Sequence, residues 1–161
     1  MAHVDHGALE AARFGFARSP EWPRVERAHL QRQPQCQCCK PGQSPNAGLQ
    51  VHHIFPFHYC IALGRPDLEL DDRNLITLCE DEAGKPGDNH HLLVGHLDDF
   101  QSSNLAVVTD ARQTFHGLAA AAIKADPHWK AEEASRLKPL DKMTPDDKAT
   151  FTAEMNKAYP R

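Results

Sequence analysis

The stretch "LQVHHIF" (residues 49–55) alternates through a pair of histidines. Alternation of this kind marks a short strand, with Leu49, Val51 and His53 on one face and Gln50, His52 and Ile54 on the other. The two histidines of the doublet therefore point in opposite directions and cannot share one task. A second doublet opens "HHLLVGH" (90–96), which has helical spacing with Leu92, Leu93 and His96 as candidates for one face, weakened by Gly95. With His58, the doublets and His96 gather six of the chain's 11 histidines within 45 residues. Such a concentration points to metal binding or proton movement. His3, His6, His116 and His128 stand in no comparable constellation and read as ordinary structural or surface residues.

Upstream, "SPEWPRVERAHLQRQP" (19–34) carries the serine and prolines of a helix start and a proline after its end, so a helix is expected from about Pro23 to Gln33. "QCQCCK" follows, in which Cys36 and Cys39 form a C-x-x-C, and a loop rich in proline and glycine leads on to the strand. The stretch after it, through "RPDLELDD", reads as a loop with room for a helical turn and an acidic end. "RNLITLC" (73–79) is a second short apolar run, and "EDEAGKPGDN" (80–89) a polar insert. "DARQTFHGLAAAAIKAD" (110–126) is expected to be one alanine-rich helix ending before Pro127. In the tail, Thr144 and Pro145 suit the cap and first position of a last helix.

The bulk properties bound the reading. A chain of 161 residues suits one domain with extensions. No apolar run approaches the roughly 18–20 residues needed to span a bilayer. The N-terminal stretch lacks a signal-peptide core, so an intracellular (cytoplasmic) protein is expected. Five cysteines, an odd number, argue against a disulfide framework and favour metal ligation for Cys36 and Cys39. The net charge of −4 counts against a simple nucleic-acid binder. The charge is uneven, however: residues 1–40 carry six basic side chains against four acidic ones, and residues 65–99 ten acidic against three basic. A polyanion would meet the N-terminal arm first.

In order, the motifs are Cys36 and Cys39, "VHHI" (51–54), "NLITLC" (74–79) and "HHLLVGH" (90–96), preceded by "SPEWPRVERAHLQRQPQC". This succession resembles an HNH endonuclease over residues 19–104, leaving an arm at 1–18 and a helical extension at 105–161. The resemblance implies an α+β fold, a small ββα-metal core with a zinc-binding Cys/His cluster flanked by N- and C-terminal helices. It implies hydrolysis of DNA phosphodiester bonds to 5′-phosphate and 3′-hydroxyl ends. Carried over, His53 matches the general base, and Asn74 the central asparagine that orients it. His52 and His91 match ligands of one catalytic divalent ion (Mg2+, Mn2+, Ni2+ or Zn2+), with His96 where some members place another. Cys36, Cys39, Cys79 and His90 match the ligands of a structural Zn2+, His90 standing where a cysteine is usual. Cys38 and Cys60 are left as non-ligands.

These residue types suit the chemistry on independent grounds. Phosphodiester hydrolysis needs a water, a base to deprotonate it, and a cation on the phosphate and the departing oxygen. A side-chain amide can fix an imidazole's orientation without adding charge. Arg24, Arg27 and Arg32, on or near the first helix, are candidates for phosphate contacts, although a solvated helix face explains them nearly as well. The competing function is a non-catalytic zinc-containing module that binds nucleic acid or protein on the same scaffold.

Overall fold

The computed structural model describes residues 17–80 and 88–161, so most of the expected N-terminal arm and most of the polar insert lie outside the described residues. Helix α1, Trp22–Arg32, starts with Pro23 in its first turn and buries Trp22, Val25 and His29, whose spacing keeps them on one side. It stops where Gln33 turns to the sheet. The Gln33 side chain accepts from the Thr77 N–H and its carbonyl accepts from the Thr77 hydroxyl, both at 2.7 Å.

Strands β1 (Leu49–His53) and β2 (Leu75–Cys79) pair antiparallel, with Leu49 opposite Cys79, His52 opposite Ile76 and His53 opposite Leu75. Between them lie helix α2 (Phe57–Ala62) and two 3-10 turns, Pro66–Glu69 and Asp72–Asn74. The expected loop is thus largely helical. Asn74 closes it from within: its carbonyl oxygen accepts from the Phe55 N–H at 2.8 Å, and its NH2 donates to Phe55 O and Leu68 O at 3.0 Å each.

The segment after β2 departs from the expected amphipathic helix. His91–Gly95 is a single π-helical turn, and the residues it buries are Leu93, Val94 and Gly95. Leu97 and Asp98 then take left-handed backbone conformations that end it. Gly95 is required by close approach, since a Cβ there would lie 3.1 Å from the His52 ring and 3.2 Å from Leu78.

The alanine-rich segment does not form one helix. Helix α3 (Val107–Thr109) widens into a second π-turn (Asp110–Thr114), the chain breaks, and α4 (Ala120–Ala125) resumes. The break is where the cysteine knuckle docks. Gly117, at φ +75°, donates its N–H to Cys38 O at 2.7 Å, and the Cys38 thiol donates to Phe115 O. Helix α5 (Pro127–Ala134), which sequence reading overlooked, begins at Pro127 under an Asp126 cap. Helix α6 (Pro145–Ala158) has Thr144 and Asp147 capping one another's backbone, as the expected Thr144 cap requires.

The chain is therefore a mixed α+β structure on a two-stranded sheet with two apolar faces. Trp22 and Val25 of α1 pack on Val51 and Leu75. On the other face Ile76 and Leu78 meet Leu93, Val94, Val107, Phe115, Ile123 and Trp129. Phe151 and Tyr159 of the tail pack edge-on against Phe55 in that same core. Among the described residues no helix is long and apolar enough to cross a membrane.

Candidate metal centres and the histidine doublets

Four residues far apart in sequence meet beside β2: Cys36, Cys39, Cys79 and His90. His90 Nδ1 lies 3.5 Å from Cys36 Sγ, 3.5 Å from Cys39 Sγ and 3.3 Å from Cys79 Sγ, and the Cys39 and Cys79 sulfurs are 3.9 Å apart. A tetrahedral zinc at ordinary bond lengths would hold sulfurs about 3.8 Å apart and sulfur from nitrogen about 3.5 Å. The donor atoms already stand at that spacing. His90 Nε2 donates to the Leu118 carbonyl at 2.9 Å, which fixes the tautomer and leaves Nδ1 facing the sulfurs.

The electrostatics agree with a cation-seeking site. Contacts with Cys39 and Cys79 pull the Cys36 thiol far below its ordinary range, while contacts with Cys36 and Cys79 push Cys39 up. Burial opposes charge on His90, but its contacts with Cys36, Cys38 and Cys79 outweigh burial and raise it. Three sulfurs this close cannot all ionise without positive charge among them. Cys38, which also contacts His90, and Cys60 are not among the four, their thiols donating to Phe115 O and Phe55 O. Burial pushes the Cys60 thiol up to about 12.

The alternation of β1 divides the first doublet. His52 turns towards the π-turn and gathers with His91 and His96. His96 Nδ1 lies 2.6 Å from the Ser102 carbonyl, which can only accept, so Nδ1 carries the proton and Nε2 a lone pair. His91 Nδ1 faces the Glu80 carboxylate at 3.3 Å, which turns its Nε2 towards His96. These two Nε2 atoms are 3.1 Å apart, and His52 Nε2 is buried with no hydrogen-bond partner. Burial, then His96 and His91, hold His52 well below its usual range, and burial with His91 takes His96 to about 3. Three imidazoles whose ring nitrogens converge, one of them orphaned, are a donor set that fits a divalent metal ion. The ring of Phe100, a large apolar side chain left 45% exposed, lies 5.0 Å from His96 and 5.6 Å from His91.

His53 faces the other way, its ring 4.7 Å from Trp22. Its Nε2 donates to the Glu69 carbonyl at 2.8 Å, leaving Nδ1 as the acceptor, with an Arg18 guanidinium nitrogen 3.4 Å away. Arg18 also lies over the rings of Phe57 and Trp22. Burial, then Arg18, push His53 down to about 3. The Asn74 side chain hydrogen-bonds to Phe55 and Leu68, not to the His53 ring. It holds Leu68 O, one residue before the carbonyl that fixes the His53 tautomer.

Arg24, Arg27 and Arg32 join neither histidine group. Arg24 pairs with Glu21 at 2.8 Å and Arg32 with Asp72 at 2.6 Å, and Arg27 is exposed. Sequence reading missed Arg18 and Phe100, for which no local pattern gave a signal. It also left His128 without a constellation, whereas His128 meets Asp110 and Glu132. The i, i+4 spacing of His128 and Glu132 was the available signal.

In comparisons with known proteins, no family model matches the chain, and no curated protein or solved structure matches it.

Proposed function

We propose that the chain is a metal-dependent endonuclease of the HNH type that hydrolyses DNA phosphodiester bonds. The observation that carries this reading is the convergence of His52, His91 and His96 on one point, while the adjacent His53 keeps a fixed tautomer with Nδ1 as an acceptor facing Arg18. In this reading His52, His91 and His96 hold one divalent ion. That ion supplies charge stabilisation at the scissile phosphate and the departing 3′ oxygen.

The chain's own residues do the rest. Glu69 O and Asn74 orient His53 so that Nδ1 can take the proton of the attacking water. Arg18, beside that nitrogen, supplies a cation for a non-bridging phosphate oxygen. An anionic phosphate arriving there offsets the charge that depresses His53 and so makes it a better base. Cys36, Cys39, Cys79 and His90 hold a structural zinc that ties β2 to the knuckle and to the start of the His91 turn. A non-catalytic binding module has no use for a desolvated imidazole in a fixed tautomer beside a cation.

The test is cleavage of a supercoiled plasmid by metal-stripped protein after adding back Mg2+, Mn2+, Ni2+ or Zn2+, with His53→Ala alongside. The expected result is metal-dependent nicking or linearisation that His53→Ala lowers by at least about a hundredfold, the scale of a lost general base. Equal cleavage by a folded His53→Ala protein would remove His53 from the mechanism. Absence of cleavage with every metal, on both double- and single-stranded DNA, would favour the binding module.

A further inference from the structure

Outside both groups already described, a third set of metal-ligating side chains comes together. Asp110 comes from the π-turn after α3, and His128 and Glu132 from α5, with donor atoms within 4.8 Å of one another. His128 and Glu132 are four residues apart, the spacing that puts two side chains on one helical face. His128 Nε2 lies 3.5 Å from Asp110 Oδ1 and 3.4 Å from Glu132 Oε1. A tetrahedral ion bound by nitrogen and oxygen at ordinary lengths would space such donors about 3.4 Å apart.

Two further observations favour a ligand here over a plain ion pair. Asp110 is 2% exposed, and Asn104 donates to its Oδ2 at 2.7 Å, which leaves Oδ1 turned towards His128. Glu132 Oε1 is buried and makes no hydrogen bond. Two carboxylates, Asp110 buried and Glu132 19% exposed, are thus set close together with one imidazole between them. Buried charge left this short of compensation is costly unless a cation completes it.

The geometry points to a divalent transition-metal site formed by Asp110, His128 and Glu132. One imidazole and two carboxylates suit Zn2+ or Mn2+. The side chain of His128, 55% exposed, leaves the ion a path from solvent. The site has a structural consequence for the histidine triad. Asn104, which holds Asp110, also donates to Val94 O from its side chain and to Gly95 O from its N–H. Trp129 of α5 donates to Leu93 O at 2.8 Å. An ion bridging Asp110 to α5 therefore clamps that helix against the turn carrying His91 and His96. This inference does not depend on nuclease activity.

Zinc stoichiometry by equilibrium dialysis and elemental analysis tests it on the full chain, comparing the parent with His128→Ala, Glu132→Gln and His52→Ala. The thiolate absorption of a Co2+-substituted sample certifies that the cysteine group, and hence the fold, is intact in each variant. His128→Ala and Glu132→Gln should each bind one zinc fewer than the parent and lose part of the rise in melting temperature that added zinc gives. His52→Ala should lose a different equivalent, so the triad and this site succeed or fail separately. The inference is overturned if both folded variants bind as much zinc as the parent. It is equally overturned if the parent is stabilised by mild acid and not by zinc, which would mean a proton shared between the carboxylates.

Discussion

Replacing Asn74 by alanine should be among the most damaging single changes in the chain. The side chain is fully buried and makes three hydrogen bonds, all to main-chain groups: Phe55 N–H, Phe55 O and Leu68 O. Alanine leaves those three groups without these partners in a place water does not reach. At about 1–3 kcal/mol for each buried group left unsatisfied, and allowing for partial relaxation, the loss comes to about 3–5 kcal/mol. Domains of this kind are stable by roughly 5–15 kcal/mol, so the variant should fold but melt early. Asn74→Asp, the same shape, keeps the acceptor for Phe55 N–H but turns a carboxylate oxygen towards two carbonyls. It should cost at least as much as alanine at neutral pH. Urea unfolding of the zinc-loaded protein, read by circular dichroism and with unchanged slope, measures both. An alanine variant within about 1 kcal/mol of the parent would refute the reasoning, since it would mean that the amide bonds contribute little net stability. Because Leu68 O adjoins the Glu69 carbonyl that fixes His53, any DNA cleavage of the kind proposed above should fall as well in the surviving folded fraction.

Cys39→Ser should strip the structural zinc and destabilise the fold, whereas Cys60→Ser, at a buried thiol outside the group, should keep its full zinc content; elemental analysis after desalting separates the two. Gly95→Ala places a methyl group 3.1 Å from the His52 ring, and should weaken metal binding at the histidine triad by roughly tenfold, the scale of effects on residues supporting a ligand, while the cysteine zinc is unchanged. Calorimetric titration of the zinc-loaded protein with Mn2+ reads that change, and an unaltered affinity would show that His52 is not held by this contact. Burial, then Arg18, lower His58 to about 4, against an unfolded value near 6.5, so between these limits the unfolded chain binds more protons and stability rises with pH. The contribution is complete above about pH 6.5 and is lost as pH falls towards 4. His58→Gln should therefore flatten the dependence of the urea midpoint on pH across that window, and an unchanged slope would place the titration elsewhere.

Local chemistry made several features legible in the sequence. Alternation separates His52 from His53 because successive side chains on a strand point to opposite faces, and that holds whatever the strand packs against. Pro23 in the first turn of α1, and Thr144 and Pro145 at the start of α6, act within a few residues of themselves. The cysteine spacing already singled out Cys36 and Cys39, and with Cys79 and His90 those residues lie together in the folded chain. Where the chain has to answer to distant partners, the sequence is silent. In an α-helix His91 and His96 would diverge by about 140°, at 100° per residue. The wider π-turn brings them together, and Gly95 lets that turn press on His52 and Leu78. The segment 110–126 holds an alanine run of high helix propensity, yet it breaks at Gly117, ahead of those alanines, where the knuckle carrying Cys38 and Lys40 seats itself. Arg18 reaches His53 across 35 residues, and Asp110 meets His128 across 18, through packing that no periodicity encodes. Propensity and alternation are settled by neighbours along the chain, whereas ligand geometry is settled by which surfaces are buried against each other.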